Sequence, residues 1–295
     1  MKKVIILSWV LVLVSCGAVK KRTTIELPPA YVDARVASLE ELVEFVNERY
    51  AAVEALSVSS LKVEFTGGSV KTGYLEEYRG AKGYLVAQWP DSMYFNILNP
   101  LTSSTVVAMA TARKIFQVWI PRENKYLTGN TDVELEEENP ILNVRPHHLL
   151  NGILIERIPA DRSRYRPFLE EVEDARFQYY IVGVIDLEGD ARSAQLVRKL
   201  WIERSSMHLV RQQYYEAGAL VSSIDYGEPV EIDGVLINSD VRIERTRENY
   251  SIRLELAPEG IRINPSVRED AFDLPVPPGA EVVVVKGTNN QELTR

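Results

Sequence analysis

Cysteine is almost missing from this chain: Cys16 is the only one in 295 residues. An intrachain disulfide is excluded, so an apolar core must carry the stability, and a 45% hydrophobic fraction is enough for that. Histidine is scarce too, with His147, His148 and His208. The first two are adjacent, so on a helix they point about 100° apart and on a strand to opposite faces. Neither arrangement makes a metal pair, H-E-x-x-H is absent, and His208 stands alone. The nucleophile elbow G-x-S-x-G is missing, since Gly67-Gly68-Ser69-Val70-Lys71 departs at its last position. Gly68 to Gly73 has phosphate-loop spacing, but Tyr74-Leu75 stands where Lys-Ser/Thr is required. Both stretches read as hairpin turns. Glu76-Glu77 and Glu170-Glu171 are carboxylate pairs of the kind any acidic protein carries. The acidic run from Asp132 to Glu138 lacks the ordered calcium-loop pattern and reads as a solvated loop. No catalytic residue, metal or cofactor is therefore expected, and the chain reads as a non-enzyme.

Positive charge is also in short supply. The formal net charge is −8, and losing Lys2 and Lys3 with the first fifteen residues takes it to about −10. That balance argues against nucleic acid, whose phosphates attract Lys and Arg, and against electrostatic adhesion to anionic lipid.

What is present begins at the N-terminus. Lys2 and Lys3 precede an apolar run from Val4 to Val14, with Ser8 its one polar residue. The run is too short to span a bilayer and has the form of a signal-peptide core. Leu13-Val14-Ser15-Cys16 follows and resembles a bacterial lipobox, in which the cysteine is acylated and becomes the mature N-terminus. Residues 1–15 are then a signal peptide and Cys16 the lipidation site. Among such lipoproteins a residue other than Asp after the cysteine implies the outer membrane, and here it is Gly17. Residues 16–37, with Lys20-Lys21-Arg22 and Pro28-Pro29, read as a tether.

Ser38 and Glu41 have capping-box spacing, and Leu39, Leu42, Val43, Val46, Tyr50 and Val53 form one apolar stripe, which predicts a helix over 38–56. The period then changes to two. Strands are expected at 61–66, 72–79, 82–89, 91–98, 104–111, 114–120 and 124–128, punctuated by Gly80, Pro90, Pro100 and Pro121. A short helix is expected over 146–156, with Pro146 in its first turn. A second set of strands is expected at 177–187, 195–204, 208–216, 219–228, 235–246, 249–256 and 260–264. Phe177 to Ile185 and Thr105 to Ala110 are apolar on both faces, so both strands should be covered on both sides. The fold class is mainly β (α+β): one large curved antiparallel sheet with helices on its concave face. The β domain spans 38–285, and 286–295 form a polar tail.

The remaining signal is apolar and aromatic. Trp89, Met93, Phe95, Ile97, Met109, Phe116 and Trp119 lie on successive strands, and Leu149, Leu150 and Ile153 lie on the 146–156 helix. Singly each reads as core; as a group they are candidates to line an apolar cavity.

The order and texture of these segments resemble the LolA/LolB-like superfamily of periplasmic lipoprotein carriers, and more closely its lipid-anchored relatives. The features that match are the lipobox and tether, the N-terminal helix, and the Pro90-Asp91-Ser92-Met93-Tyr94-Phe95-Asn96-Ile97-Leu98 strand leading into Asn99-Pro100-Leu101. Val106-Val107, Phe116-Gln117-Val118-Trp119, the mid-chain helix and the Phe272-Asp273-Leu274-Pro275 close with Pro277-Pro278-Gly279 complete it. The resemblance implies an unclosed β-barrel with helices as a lid over a hydrophobic cavity. It implies acyl chains of lipids or lipoproteins as partners, at the periplasmic face of the outer membrane. It also makes Leu101 a counterpart of an apolar residue on a projecting loop; a turn leucine folded back on the core is the alternative. The alternative function is a non-catalytic scaffold, packed solid, that docks an envelope protein complex through its surface.

Overall fold

A computed structural model describes residues 35–69, 73–133, 140–173, 178–187 and 194–285. The signal peptide, Cys16, most of the tether, the greater part of the acidic run and the polar tail lie outside the described residues.

Helix α1 (Leu39–Arg49) starts where its capping box places it. The Ser38 hydroxyl accepts from the Glu41 N–H at 3.3 Å, and the Glu41 carboxylate accepts from the Ser38 N–H at 2.7 Å. It ends earlier than its apolar stripe, because the next residues are taken by long-range bonds. The Asn264 side chain accepts from the N–H groups of Glu54 and Ala55 at 2.8 and 2.9 Å and donates to the Ala52 carbonyl at 3.1 Å. Strand pairing then begins at once.

The first meander is β1 (Ala55–Ser69), β2 (Tyr74–Gln88), β3 (Ser92–Leu98), β4 (Thr105–Ala112), β5 (Ile115–Ile120) and β6 (Lys125–Asn130). Gly80, expected to end a strand, instead sits within β2 at φ +68, where the register slips between Val63 and Phe65. A bulge bends the strand there and lets it continue. Helix α2 (Pro146–Ile153) separates this meander from the second. The second comprises β7 (Tyr165–Glu173), β8 (Gln178–Asp186), β9 (Gln195–Glu203), β10 (Leu209–Glu216), β11 (Ala219–Tyr226), β14 (Asp240–Arg245) and β15 (Tyr250–Leu256). A separate hairpin, β12 (Pro229–Ile232) and β13 (Val235–Asn238), interrupts it, and β16 (Ile261–Ile263) pairs with the start of β1. Strands β7 and β12 had no sequence expectation of their own.

Pairing of β1 with β15, in the register Leu61↔Leu256 to Gly67↔Tyr250, fuses the two meanders into one 15-stranded sheet. Its edges, β7 and β17 (Glu281–Val285), do not meet, so the barrel is not closed. The sheet is antiparallel except at one edge, where β17 pairs parallel to β6. Among the described residues no helix is long and apolar enough to cross a membrane.

The core fills the concave side. Helix α1 packs on β7 and β8, and α2 contacts β3, β4 and β5 of the first meander and β14 of the second. The close approach of α2 requires Gly152, whose absent Cβ would stand 2.7 Å from Ile243 Cδ1. Strand β4 is buried on both faces from Val107 to Thr111. Its convex face is covered by the chain near Leu274, whose carbonyl accepts from the Tyr126 hydroxyl at 2.6 Å. Strand β8 is buried from Tyr180 to Val184. On its outer face Phe168 lies so close over Gly183 that a Cβ there would meet the ring at 2.2 Å.

Candidate functional site

Strands β1 and β15 alternate buried apolar residues, which face inward, with exposed or half-exposed ones that face outward. Where they meet β2, β3 and β4, the interior is not filled. An apolar cavity of about 310 Å³ remains there, within the size range of ligand pockets. Strands contribute Val63, Phe65, Ala81, Val107 and Ile252. Its other wall is the short 3₁₀ turn at Pro140–Asn143 and the residue after it, through Ile141 and Val144.

Polar groups lie at its margin. Tyr78, Arg79, Arg122, Asn99 and Thr105 border it. The Tyr78 hydroxyl donates to the Glu76 carboxylate, and the phenol is pushed up to about 12, by burial first and then by that bond. Arg79 pairs with Glu77 at 2.9 Å on the surface. Asn99 and Pro100 also open the β3–β4 turn, so the mouth adjoins Leu101. Leu101 does not fold back on the core: it is 93% exposed. The Asn99 side chain fixes that turn, accepting from the Leu101 and Thr102 N–H groups at 2.9 and 3.1 Å.

The segment that covers the cavity continues into α2 and crosses the concave interior. At its near end the Arg145 guanidinium sits 4.7 Å over the Phe116 ring. His148 Nδ1 and the Tyr250 hydroxyl are 2.9 Å apart. At the far end Arg198 donates to the Glu156 carbonyl at 2.8 Å, and Gln212 donates to the Asn151 carbonyl at 3.1 Å. Asn47 on α1 both donates to and accepts from the Ile158 backbone, at 3.2 and 2.8 Å.

The sequence candidates divide among several places. Ile97 and Met109 line the cavity. Met93, Phe95, Phe116, Leu149 and Leu150 are buried in the continuous core, and Ile153 packs half-buried against it. Trp89 borders a shallow cleft beside Asn264 and Pro265. Trp119 lies on the convex face of the sheet, packed with the cluster around Tyr126 and Leu274. The space thus lies beneath the 140–145 segment that leads into α2. The other lining residues, such as Val63 and Ile252, had no individual signal beyond an inward place in a period-two strand.

On the other side of that segment lies a second, polar cavity of about 420 Å³. Asn143, Arg145, His147 and His148 border it, with Arg245 and Glu248. Arg245 and Glu248 form a buried ion pair. The imidazoles of His147 and His148 meet edge to face at 4.3 Å. Burial, followed by the Arg245 and Arg145 charges, pulls His147 down to about 3. His148 is also held well below the usual histidine range, by burial and then by His147 and the two arginines. Both are neutral at pH 7. Among the described residues no three His, Cys, Asp or Glu side chains group as a metal site.

No family model matches the sequence, and no curated protein matches it. Solved structures do. A LolA superfamily protein from Nitrosomonas europaea superposes with a TM-score of 0.50 at 12% identity, over 81% of this chain and 99% of that one. A DUF1329 family protein from Desulfovibrio piger gives 0.46 at 14% identity, over 80% and 94%. A putative outer membrane lipoprotein-sorting protein domain from Vibrio parahaemolyticus gives 0.45 at 11% identity, over 80% and 97%. The chain has the unclosed, mainly β fold of the LolA superfamily structure.

Proposed function

We propose that the chain is an exported lipoprotein, anchored through Cys16 at the periplasmic face of the outer membrane, that holds acyl chains of lipids or lipoproteins in the apolar cavity. The observation that carries this is the unfilled apolar space of about 310 Å³ between β1–β4 and the 140–145 segment. Well-packed interiors leave few voids larger than a water molecule, and dry apolar cavities take up apolar ligands. The lipobox order of Leu13-Val14-Ser15-Cys16 and the shared fold support the same reading. Ile97 and Met109 are its ligand contacts. Met93, Phe95, Phe116, Leu149, Leu150 and Ile153 shape the core beside the cavity. Trp89 and Trp119, outside it, are the least direct of the set.

Native mass spectrometry of protein purified from envelopes should show co-purifying lipid, and a fluorescent fatty acid should be displaced saturably from the delipidated chain. Cys16→Ser should leave an unprocessed or soluble form. The second reading, a scaffold without cargo, is favoured by the solid packing of most of the apolar candidates. Absence of both lipid and displacement would select it.

A further inference from the structure

The apolar cavity has a polar end and an apolar end, and the strand registers fix which is which. Leu98, the last residue of β3, pairs with Lys82 of β2 and with Thr105, the first residue of β4. Ala108 of β4 pairs with Trp119 near the end of β5. Arg79, Asn99, Thr105 and Arg122 therefore border the cavity at the same end of four neighbouring strands. Arg79, Pro100 and Arg122 are exposed, so this end is the mouth.

Away from the mouth the lining among the described residues is wholly apolar, with Val63, Ile97, Val107, Met109 and Ile252. Met109 is the lining residue of β4 farthest from the mouth. Four positions separate it from Thr105, which is about 13 Å of strand. Its partner on β3, Phe95, is wholly buried and does not reach the cavity. Met93 and Phe116, further along the same strands and on β5, belong to the continuous core. Met109 is thus the floor.

The volume sets a count. A dry apolar cavity of about 150 Å³ takes up one six-carbon ring, or about 25 Å³ per carbon. On that scale a cavity of about 310 Å³ holds about twelve carbons. A depth of about 13 Å is close to the extended length of such a chain. Divided between two chains, the same volume gives each about six carbons, too few to reach from the mouth to Met109.

We propose that the cavity takes one acyl chain of about twelve carbons, methyl end first, and that Met109 is the floor that sets this length. This rests on the acyl-carrier reading above and narrows it to single-chain amphiphiles. The polar group stays outside, beside Tyr78, Asn99 and Arg122. A diacyl lipid leaves its second chain in water.

The test is competition against a fluorescent fatty acid on the delipidated full chain. Saturated fatty acids of six to sixteen carbons are the competitors. Affinity should rise about fourfold per methylene, the ratio that about 0.8 kcal/mol per buried methylene gives, and level off near about twelve carbons. Dodecanoyl lysophosphatidylcholine and didodecanoylphosphatidylcholine should bind within about twofold of each other, because only one chain enters. Met109→Ala removes three heavy atoms from the floor and should move the break about three carbons longer. Ile97→Val, a milder change on the neighbouring strand, should move it by about one. An affinity that keeps rising through sixteen carbons would overturn the inference and leave the carrier reading standing. So would a diacyl lipid bound more than about tenfold more tightly than its single-chain counterpart. A break that neither variant moves removes Met109 as the floor. No displacement by any of the fatty acids defeats the carrier reading, and this inference with it.

Discussion

The two halves of the sheet hold the same crossing segment in opposite ways. Toward β1–β5 it meets apolar side chains and an unfilled space. Toward β9–β11 it meets directional hydrogen bonds from buried polar groups. Arg198 and Gln212 are 4% and 0% exposed, and Gln212 bonds the hydroxyls of Tyr214 and Tyr226 as well as the Asn151 carbonyl. Burial pushes the Tyr214 phenol up to about 12 and holds Tyr226 well above the ordinary tyrosine value, so both hydroxyls stay protonated. Hydrogen bonds fix position, whereas apolar contact tolerates sliding. One end of the segment is thus held by buried polar side chains, and the other covers the apolar cavity. A lid must open locally at modest cost, and the end over the cavity is the one whose opening would admit a ligand.

The comparison breaks most sharply at Arg198. Removing a buried guanidinium leaves the Glu156 carbonyl and the Gln212 side-chain oxygen without their donor. Each buried group so stranded costs about 1–3 kcal/mol. Arg198→Leu should therefore destabilise the chain by about 3 kcal/mol, which for a domain of this size lowers the Tm by roughly 6–12 °C. Arg211→Leu removes an exposed pair with Asp225, and exposed pairs contribute about 0–1 kcal/mol. Calorimetry of both variants checks this. Similar losses for the two would mean that the far end is not pinned.

The next contrast sets the unfilled half against the filled one. Ala81→Phe adds a ring where the cavity has room for it. It should abolish fatty-acid displacement while changing stability by no more than about 1 kcal/mol. Gly183→Ala adds one methyl where Phe168 already stands. Overpacking of that kind costs about 1–3 kcal/mol, and uptake should not change. If Ala81→Phe destabilises more than Gly183→Ala, the space in the first half is not available to a ligand.

Much of this architecture was legible in the sequence, for identifiable reasons. Period-two patterning placed β3 to β6, and the Ser38–Glu41 capping box placed the start of α1, because both signals are local. The doubly apolar runs in β4 and β8 correctly announced strands covered on both faces. What was not legible depends on distant partners. The end of α1 is set by Asn264, more than two hundred residues away. The parallel pairing of β17 with β6 needs the chain to return after the whole second meander. The cavity itself is a property of how strands diverge, so composition could nominate Ile97 and Met109 but could not separate them from Phe95, a neighbour that is wholly buried. The polar cavity is not legible, because two adjacent histidines without metal-pair spacing carry no local sign of it. Their environment comes from Arg145, two residues before His147, and from Arg245 and Glu248 on and beside a strand about a hundred residues later.

The last expected effect follows from those histidines and tests whether the near end of the segment opens before the far end. Both are neutral in the folded chain, and His147 remains so down to about pH 3. In the unfolded chain a histidine protonates near pH 6.5. Between those values the unfolded state binds more protons, so stability falls as pH falls, beginning near 6.5. The carboxylates held low in the fold, Glu41, Asp161 and Asp240, act in the same direction, but only below the ordinary carboxylate range of about pH 4–4.5. The interval from pH 6.5 to 5 therefore isolates the histidines. A decline in Tm is expected across it, and His147→Gln should make the decline shallower. Amide exchange should quicken first at 141–148, near the apolar cavity, and last at Asn151 to Glu156, where Arg198 and Gln212 hold the chain. Simultaneous release of both ends would show that the crossing segment moves as one rigid piece, with no pinned end.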